Sequence, residues 1–195
     1  MRREVMWRPW EGPGVEHLRL DVRHDGAISA DGLSIGVAED QAFRVHYELL
    51  CDADWQIREA RVAVMRPGAP QLALWTDGHG QWTAEGGQPA PALAGCLDID
   101  LSVTAFTNTL PIRRLGLQPG QSAELAVAYI DLPALDVVAV RQRYTCLARG
   151  PEGSRYRYES LPYDRLPDGF IADLSVDPEG LVMDYPPLFH RVWTR

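Results

Sequence analysis

The chain has no lysine: all 19 of its basic residues are arginine. That absence closes every mechanism that needs a lysine amine, including Schiff-base and pyridoxal phosphate chemistry, the phosphate-loop lysine and the kinase lysine. Positive charge is scarce as well. With 27 acidic side chains the formal net charge is -8. A surface of that sign repels phosphate backbones and anionic lipid headgroups, so nucleic acid is not an expected partner. No stretch approaches 18 uninterrupted apolar residues, and no membrane span is expected. Met1 to Trp10 carries early arginines, then Trp7, Pro9 and Trp10 ahead of Glu11, where a secretory leader needs an apolar run; the chain reads as cytoplasmic.

Metal and redox chemistry also lack their usual signals. Three cysteines, Cys51, Cys96 and Cys146, stand far apart in no metal-type pair and read as reduced, strand-borne core thiols. The five histidines, His17, His24, His46, His79 and His190, show no spacing that aims two imidazoles at one ion. No cofactor is expected, and no signal for an oligomeric state is present. Helical periodicity is missing too, since no stretch of a dozen residues sustains a 3.6-residue repeat between caps.

What remains is a strand-rich globular chain. Apolar residues make up 46% and charged residues 24% of 195, which is enough apolar material for one domain over residues 1–195. Turn chemistry recurs at Asp25-Gly26, Pro67-Gly68, Asp77-Gly78, Pro119-Gly120, Asp168-Gly169 and Pro178-Glu179-Gly180. Between turns the pattern alternates. Phe43, Val45, Tyr47 and Leu49 share one face and Arg44, His46 and Glu48 the other; Leu97, Ile99, Leu101 and Val103 oppose Asp98, Asp100, Ser102 and Thr104. The same alternation marks Leu18–Val22, Ala60–Val64, Leu125–Tyr129, Val138–Cys146, Phe170–Val176 and Leu181–Tyr185. The expectation is an all-β, mainly antiparallel fold: a single rolled sheet or barrel-like β-roll with at most one or two short helices. Gly86 to Gly95 reads as a surface loop within it.

Gly32-Leu33-Ser34-Ile35-Gly36 matches the G-x-S-x-G nucleophile elbow, yet a turn precedes it and a strand-like segment follows, so Ser34 reads as an ordinary strand or turn residue. Gly78-His79-Gly80 reads as a hairpin turn.

Asp98 to Arg114 carries the densest chemistry. Asp98 and Asp100 share a strand face roughly 7 Å apart, followed by the chain's single asparagine, Asn108, between Thr107 and Thr109, and then by Arg113-Arg114. Carboxylates, hydroxyls, an amide and guanidinium forks form either a satisfied buried network or a site that grips hydroxyls and anions. Thr-Asn-Thr itself reads as turn chemistry.

From Gly95 to Ser102 and on through Phe106-Thr107-Asn108-Thr109-Leu110-Pro111-Ile112-Arg113-Arg114-Leu115, the chain resembles the bacterial putative glycolipid-binding family. Further matches include Asp54-Trp55, Trp82, Gln142-Arg143-Tyr144-Thr145, Tyr156-Arg157-Tyr158 and Asp184-Tyr185-Pro186, and Ala105 stands where the family pattern has a proline. The resemblance implies a rolled antiparallel sheet and a small amphiphilic ligand. Its acyl part would take inward faces such as Phe43, Val45, Tyr47 or Leu125, Val127, Tyr129. Its sugar would take Asp98, Asp100, Thr107, Asn108, Arg113, Arg114, Gln142 and the aromatics Trp55, Trp82 and Tyr144.

Two other functions use the same residues differently. Asp98 and Asp100, with a third carboxylate from Asp54, Asp177 or Asp184, could hold a divalent cation while Arg113 or Arg114 clamps a phosphate in phosphoester or nucleotide hydrolysis. A solid interior would instead make the protein a structural or interaction module.

Overall fold

The computed structural model describes residues 2–195; Met1, the first residue of the Met1–Trp10 segment, lies outside them. Strand accounts for 59% of the chain and helix for 8%.

The first half is a meander of eight strands: β1 (Arg2–Pro9), β2 (Gly14–Val22), β3 (Ile28–Ala38), β4 (Gln41–Cys51), β5 (Ile57–Val64), β6 (Gln71–Thr76), β7 (Trp82–Ala84) and β8 (Gln88–Pro89). The second half begins with β9 (Asp98–Leu101) and a helix, α1 (Thr109–Leu115). It then meanders through β10 (Ser122–Asp131), β11 (Asp136–Gly150), β12 (Gly153–Ser160), β13 (Phe170–Val176), β14 (Val182–Tyr185) and β15 (Phe189–Thr194). One sheet holds all fifteen in the order β8-β7-β6-β5-β4-β3-β2-β1-β15-β14-β13-β12-β11-β10-β9. Every pair is antiparallel except β9 with β10. The first and last strands thus join the two meanders, with Val5 opposite Thr194.

The ladder does not close between β8 and β9. Loop contacts bridge that gap: the Gly95 amide donates to Gly80 O at 2.8 Å, and the Trp82 indole N–H donates to Cys96 O at 2.8 Å. The result is a rolled, barrel-like sheet. Among the described residues no helix is long and apolar enough to cross a membrane.

Alternation explains the strands. On β4, Val45, Tyr47, Leu49 and Cys51 are buried, whereas Arg44, Glu48 and Leu50 are exposed. The outer face carries cross-strand pairs such as Arg143 with Glu124 and Arg157 with Asp173, exposed and each worth little. All three cysteines are free and buried, Cys51 on β4, Cys146 on β11 and Cys96 in the loop before β9. Burial pushes the Cys96 thiol up to about 11 and Cys51 higher still, so neither is a thiolate at neutral pH.

One segment departs from the strand reading. The alternating run from Leu97 stops being a strand at Leu101, and Phe106–Asn108 forms a 3-10 turn leading directly into α1. The expected Thr-Asn-Thr turn is therefore helical. The physical reason is its location: Val103 through Ile112 is buried without interruption, inside the roll. Tyr47 of β4 reaches it from the first meander and Tyr144 of β11 from the second. A segment covered on every side has no solvent face to impose a period. Burying Phe106, Leu110 and Ile112 contributes about 1.5–3 kcal/mol each and plugs the lumen with the chain itself.

Ser34 lies within β3, so the G-x-S-x-G segment is strand. Its hydroxyl donates to Val103 O at 3.2 Å. Its glycines make room: a Cβ on Gly32 would sit 2.0 Å from the Tyr47 ring and one on Gly36 2.8 Å from the Phe43 ring. Both β4 rings therefore occupy the space beside a β3 glycine where a side chain would otherwise stand.

Candidate functional site

Open space collects at one end of the roll, where the β1–β2, β3–β4, β5–β6, β10–β11 and β14–β15 turns meet. Three cavities adjoin there. The first, about 680 Å³, is walled by Ile35, Ala38, Phe43, Val64, Met65 and Leu132, with Glu39, Arg44, Arg66 and Asp131 also lining it. The second, about 320 Å³, shares Ile35, Ala38, Phe43 and Leu132 with the first and extends to Trp7, Glu16, Ser34 and Val103. The third, about 250 Å³, meets the second at Ser102, Leu188 and Phe189 and is lined by Asp100, Tyr129, Tyr158, Tyr163, Phe170 and Tyr185. Ile35, Val37, Met65, Leu188 and Trp10 are exposed around this end. A groove with an apolar wall and charged side chains beside it thus leads into a chamber of aromatic rings and hydroxyls, surfaces of the two kinds an amphiphile needs.

Glu16 lies in the middle cavity. It shares the inward face of β2 with Leu18 and Leu20 and is 2% exposed. Tyr47, crossing β3 at Gly32, donates its hydroxyl to Glu16 Oε1; Thr104 donates to the same oxygen at 2.5 Å. Thr104 is held in turn by the Phe106 amide, which donates to its Oγ1 at 2.9 Å. The Ala105 backbone N–H is a further donor toward the carboxylate, and a proline at that position would lack it. Oε2 is buried and has no hydrogen-bond partner. Burial pushes the Glu16 carboxyl up to about 7, the hydrogen bonds from Thr104 and Tyr47 and the Ala105 amide pulling the other way.

Most of the residues singled out from the sequence meet in a different place, the packed network between α1 and β11. Asp98 pairs with Arg114 at 2.5 Å. Asp100 Oδ1 accepts from the Thr107 hydroxyl and Oδ2 from the Gln142 amide, both at 2.7 Å. Tyr144 donates its hydroxyl to Asn108 Oδ1 at 2.8 Å, while the Asn108 amide donates to Ala105 O at 3.3 Å. Burial pushes the carboxyls of Asp98 and Asp100 up; Arg114 pulls the first back and Thr107 with Gln142 the second. Of these residues, Asp100 also lines the third cavity. Trp82 is 3% exposed and spends its indole N–H on the seam between β7 and the loop before β9.

Trp55 and Arg113 meet at the opposite end. The Arg113 guanidinium lies 4.9 Å from the Trp55 ring centroid and donates to Glu179 O at 3.2 Å, beside a cavity of about 400 Å³ lined by Leu20, Val22, Ile28 and Leu181. Trp55 holds a left-handed φ of 65°, fixed by its amide donating to Asp52 O at 3.1 Å. The two adjacent arginines therefore part: Arg114 turns inward to Asp98 and Arg113 outward to Trp55.

For the hydrolase alternative, Asp98 would have to exchange the Arg114 guanidinium for a cation. Two of the three candidate third carboxylates are engaged elsewhere, Asp177 with Arg191 and Asp184 with Ser175, and Asp54 is exposed in the turn between β4 and β5. Among the described residues no group of three or more His, Cys, Asp or Glu side chains converges in a metal-ligand arrangement.

The signal for Glu16 was present in the pattern. Counting back in steps of two from Val22, Leu20 and Leu18 places Glu16 on the same inward face, a charge in phase with the core. The cavities depend on how strand ends splay, which alternation does not encode.

Comparison with known proteins agrees with this architecture. A crystal structure of a DUF1089 family protein from Pseudomonas aeruginosa superposes with a TM-score of 0.80 at 40% identity, over 93% of this chain and 94% of that one. A beta-barrel-like protein of domain of unknown function DUF1849 from Brucella abortus shares the fold, with a TM-score of 0.58 at 9% identity over 99% of this chain and 96% of the other. No curated protein matches the sequence. The model of the family described as putative glycolipid-binding matches residues 4–191, and the chain belongs to that family.

Proposed function

We propose that the protein binds a glycolipid or related amphiphile in the three adjoining cavities. Its apolar chain lies along Ile35, Phe43, Val64, Met65 and Leu132, and its polar head reaches the chamber of Tyr129, Tyr158, Tyr163, Tyr185 and Asp100. The observation that carries this reading is the continuity of an apolar groove with a hydroxyl-rich aromatic chamber at one end of the roll. Aromatic faces stack on sugar rings and their hydroxyls hydrogen-bond to them. The Asp98 to Arg114 motif then serves binding indirectly, by holding α1 in the lumen and Asp100 against the chamber wall.

The test is native mass spectrometry and titration with dodecyl maltoside. Ala38→Trp, which fills the junction of the first two cavities, is expected to abolish binding while the fold is retained. Ala53→Trp at the opposite end is expected to leave it unchanged. Binding that survives Ala38→Trp, or that is lost only in Ala53→Trp, would overturn the assignment.

A further inference from the structure

We propose that Glu16, in the middle cavity between the groove and the aromatic chamber, anchors the part of the head nearest the apolar chain, and that it selects amphiphiles whose head is uncharged and carries a hydroxyl there. The inference rests on the amphiphile reading of the same groove and names the head that the groove takes.

Glu16 is a buried carboxyl with no cation beside it. Among the described residues no arginine or histidine lies within ion-pair distance, and its register neighbours Trp7 on β1 and Ser34 on β3 carry no charge. Tyr47 is the titratable group that bonds to it, from β4, and Thr104 and Ala105 face it from the segment after β9. Both hydroxyl donors converge on Oε1, which leaves Oε2 unpaired in the cavity-lining residue. Buried polar atoms rarely stay unpaired in proteins, and each one calls for a partner.

The construction around Oε1 fixes where Oε2 lies. Gly32 opens the path by which Tyr47 crosses β3, and the Phe106 amide locks Thr104. The carboxyl is therefore oriented before any ligand arrives.

The chemistry of Oε2 defines its partner. Ionised, it needs a donor; protonated, it offers one. A hydroxyl donates and accepts, so it completes either form, whereas an ammonium completes only the ionised form and a carboxylate head meets a like charge. With the carboxyl raised to about 7 by burial, both forms are populated at neutral pH, and a hydroxyl serves throughout.

Four probes with the same dodecyl or lauroyl chain separate the possibilities: dodecyl maltoside, monolaurin, laurate and dodecylammonium, each titrated at pH 7 into the full chain. The two hydroxyl heads are expected to bind at least about ten-fold more tightly than the two charged ones, the equivalent of one buried hydrogen bond. Glu16→Gln, which keeps both a donor and an acceptor, is expected to retain the preference for hydroxyl heads that Glu16→Leu loses, and loss of that preference in Glu16→Gln would count against the role of Glu16. Glu16→Leu is expected to lose about ten-fold for the hydroxyl heads and with it the discrimination. Equal gain for maltoside and monolaurin assigns recognition to a single hydroxyl, and tighter maltoside binding extends it to the sugar. Equal affinity of the parent for all four probes, a preference for a charged head, or unchanged discrimination in Glu16→Leu would overturn the role of Glu16 and leave the groove standing. Failure of all four to bind the parent would overturn the groove reading beneath it. The comparison of head groups on the unmodified protein needs no variant to fold.

Discussion

Asp100 and Glu16 are inward carboxyls of the same lumen, and burial pushes both pKa values up, yet their hydrogen bonds are arranged oppositely. Asp100 divides its donors, Thr107 on one oxygen and Gln142 on the other. Glu16 stacks Tyr47 and Thr104 on one oxygen and leaves the second without a partner. A carboxyl whose donors are matched oxygen for oxygen closes a circuit and holds elements in place. One with donors crowded on a single oxygen keeps capacity in reserve. Carboxyl chemistry and burial are shared; the distribution of partners separates a closed arrangement from an open one.

The comparison breaks most visibly at the inner arginine. Arg114→Ala leaves Asp98, 1% exposed in its side chain, as an unpaired interior charge, and is expected to lower stability by about 3–5 kcal/mol at pH 7 in urea melts. Part of that loss should return in acid as Asp98 takes up a proton; a loss below about 1 kcal/mol would mean that the network is not closed.

Glu16 should respond in the opposite sense. Its folded pKa, about 7, lies above the ordinary value of 4.5, so the native state retains a proton that the unfolded chain gives up, and stability falls as pH rises through that window. Glu16→Gln removes this penalty. It is expected to exceed the parent by about 2–3 kcal/mol at pH 8 and to converge with it near pH 4.5. Asp98 and Asp100 are present in both proteins, so the difference isolates Glu16; equal stabilities at pH 8 would place its charge in a solvated setting instead.

Tyr144→Phe strips one donor from the closed network and strands Asn108 Oδ1. A loss of about 1–2 kcal/mol, equal at pH 5 and pH 8, is expected from the same melts. Arg113→Ala marks the small end of the scale: an exposed guanidinium over Trp55 is worth about 0.5–1 kcal/mol, and a larger loss would give Arg113 a structural weight like that of its neighbour.

Legibility in the sequence followed solvent. Half-buried strands such as β4 and β13 announce themselves because water touches one face and the core the other, and Phe170–Val176 matches its strand end for end. Where water is absent from both sides the pattern fades. Asp98 and Asp100 alternate with Ile99 and Leu101 as a half-exposed strand would, yet the polar face of β9 looks into the lumen. The Asp98 to Arg114 cluster was readable as chemistry, and the choice between network and site turned on partners distant in sequence, Gln142 and Tyr144. Arg113 and Arg114 carry the same side chain in adjacent positions, and the turn of a helix sent them to different ends of the argument between surface and core. Glu16 was readable from phase alone, since its step-of-two relation to Leu18 and Leu20 sets a charge among core residues.

The pairing of β1 with β15 has a consequence for biosynthesis. Val5 faces Thr194, and Glu4 and Arg195 exchange backbone hydrogen bonds at 3.0 and 2.9 Å, so the seam between the meanders joins the two strands farthest apart in sequence. Until β15 leaves the ribosome, β1 presents an open edge, the kind of strand that recruits other chains. The same proximity means that the seam lacks only a turn to become a hairpin. A circular permutant joining the two ends by a short glycine linker and opened at Gly86-Gly87, where both glycines hold positive φ in an exposed loop, would turn the strand pairing of greatest sequence separation into a local one.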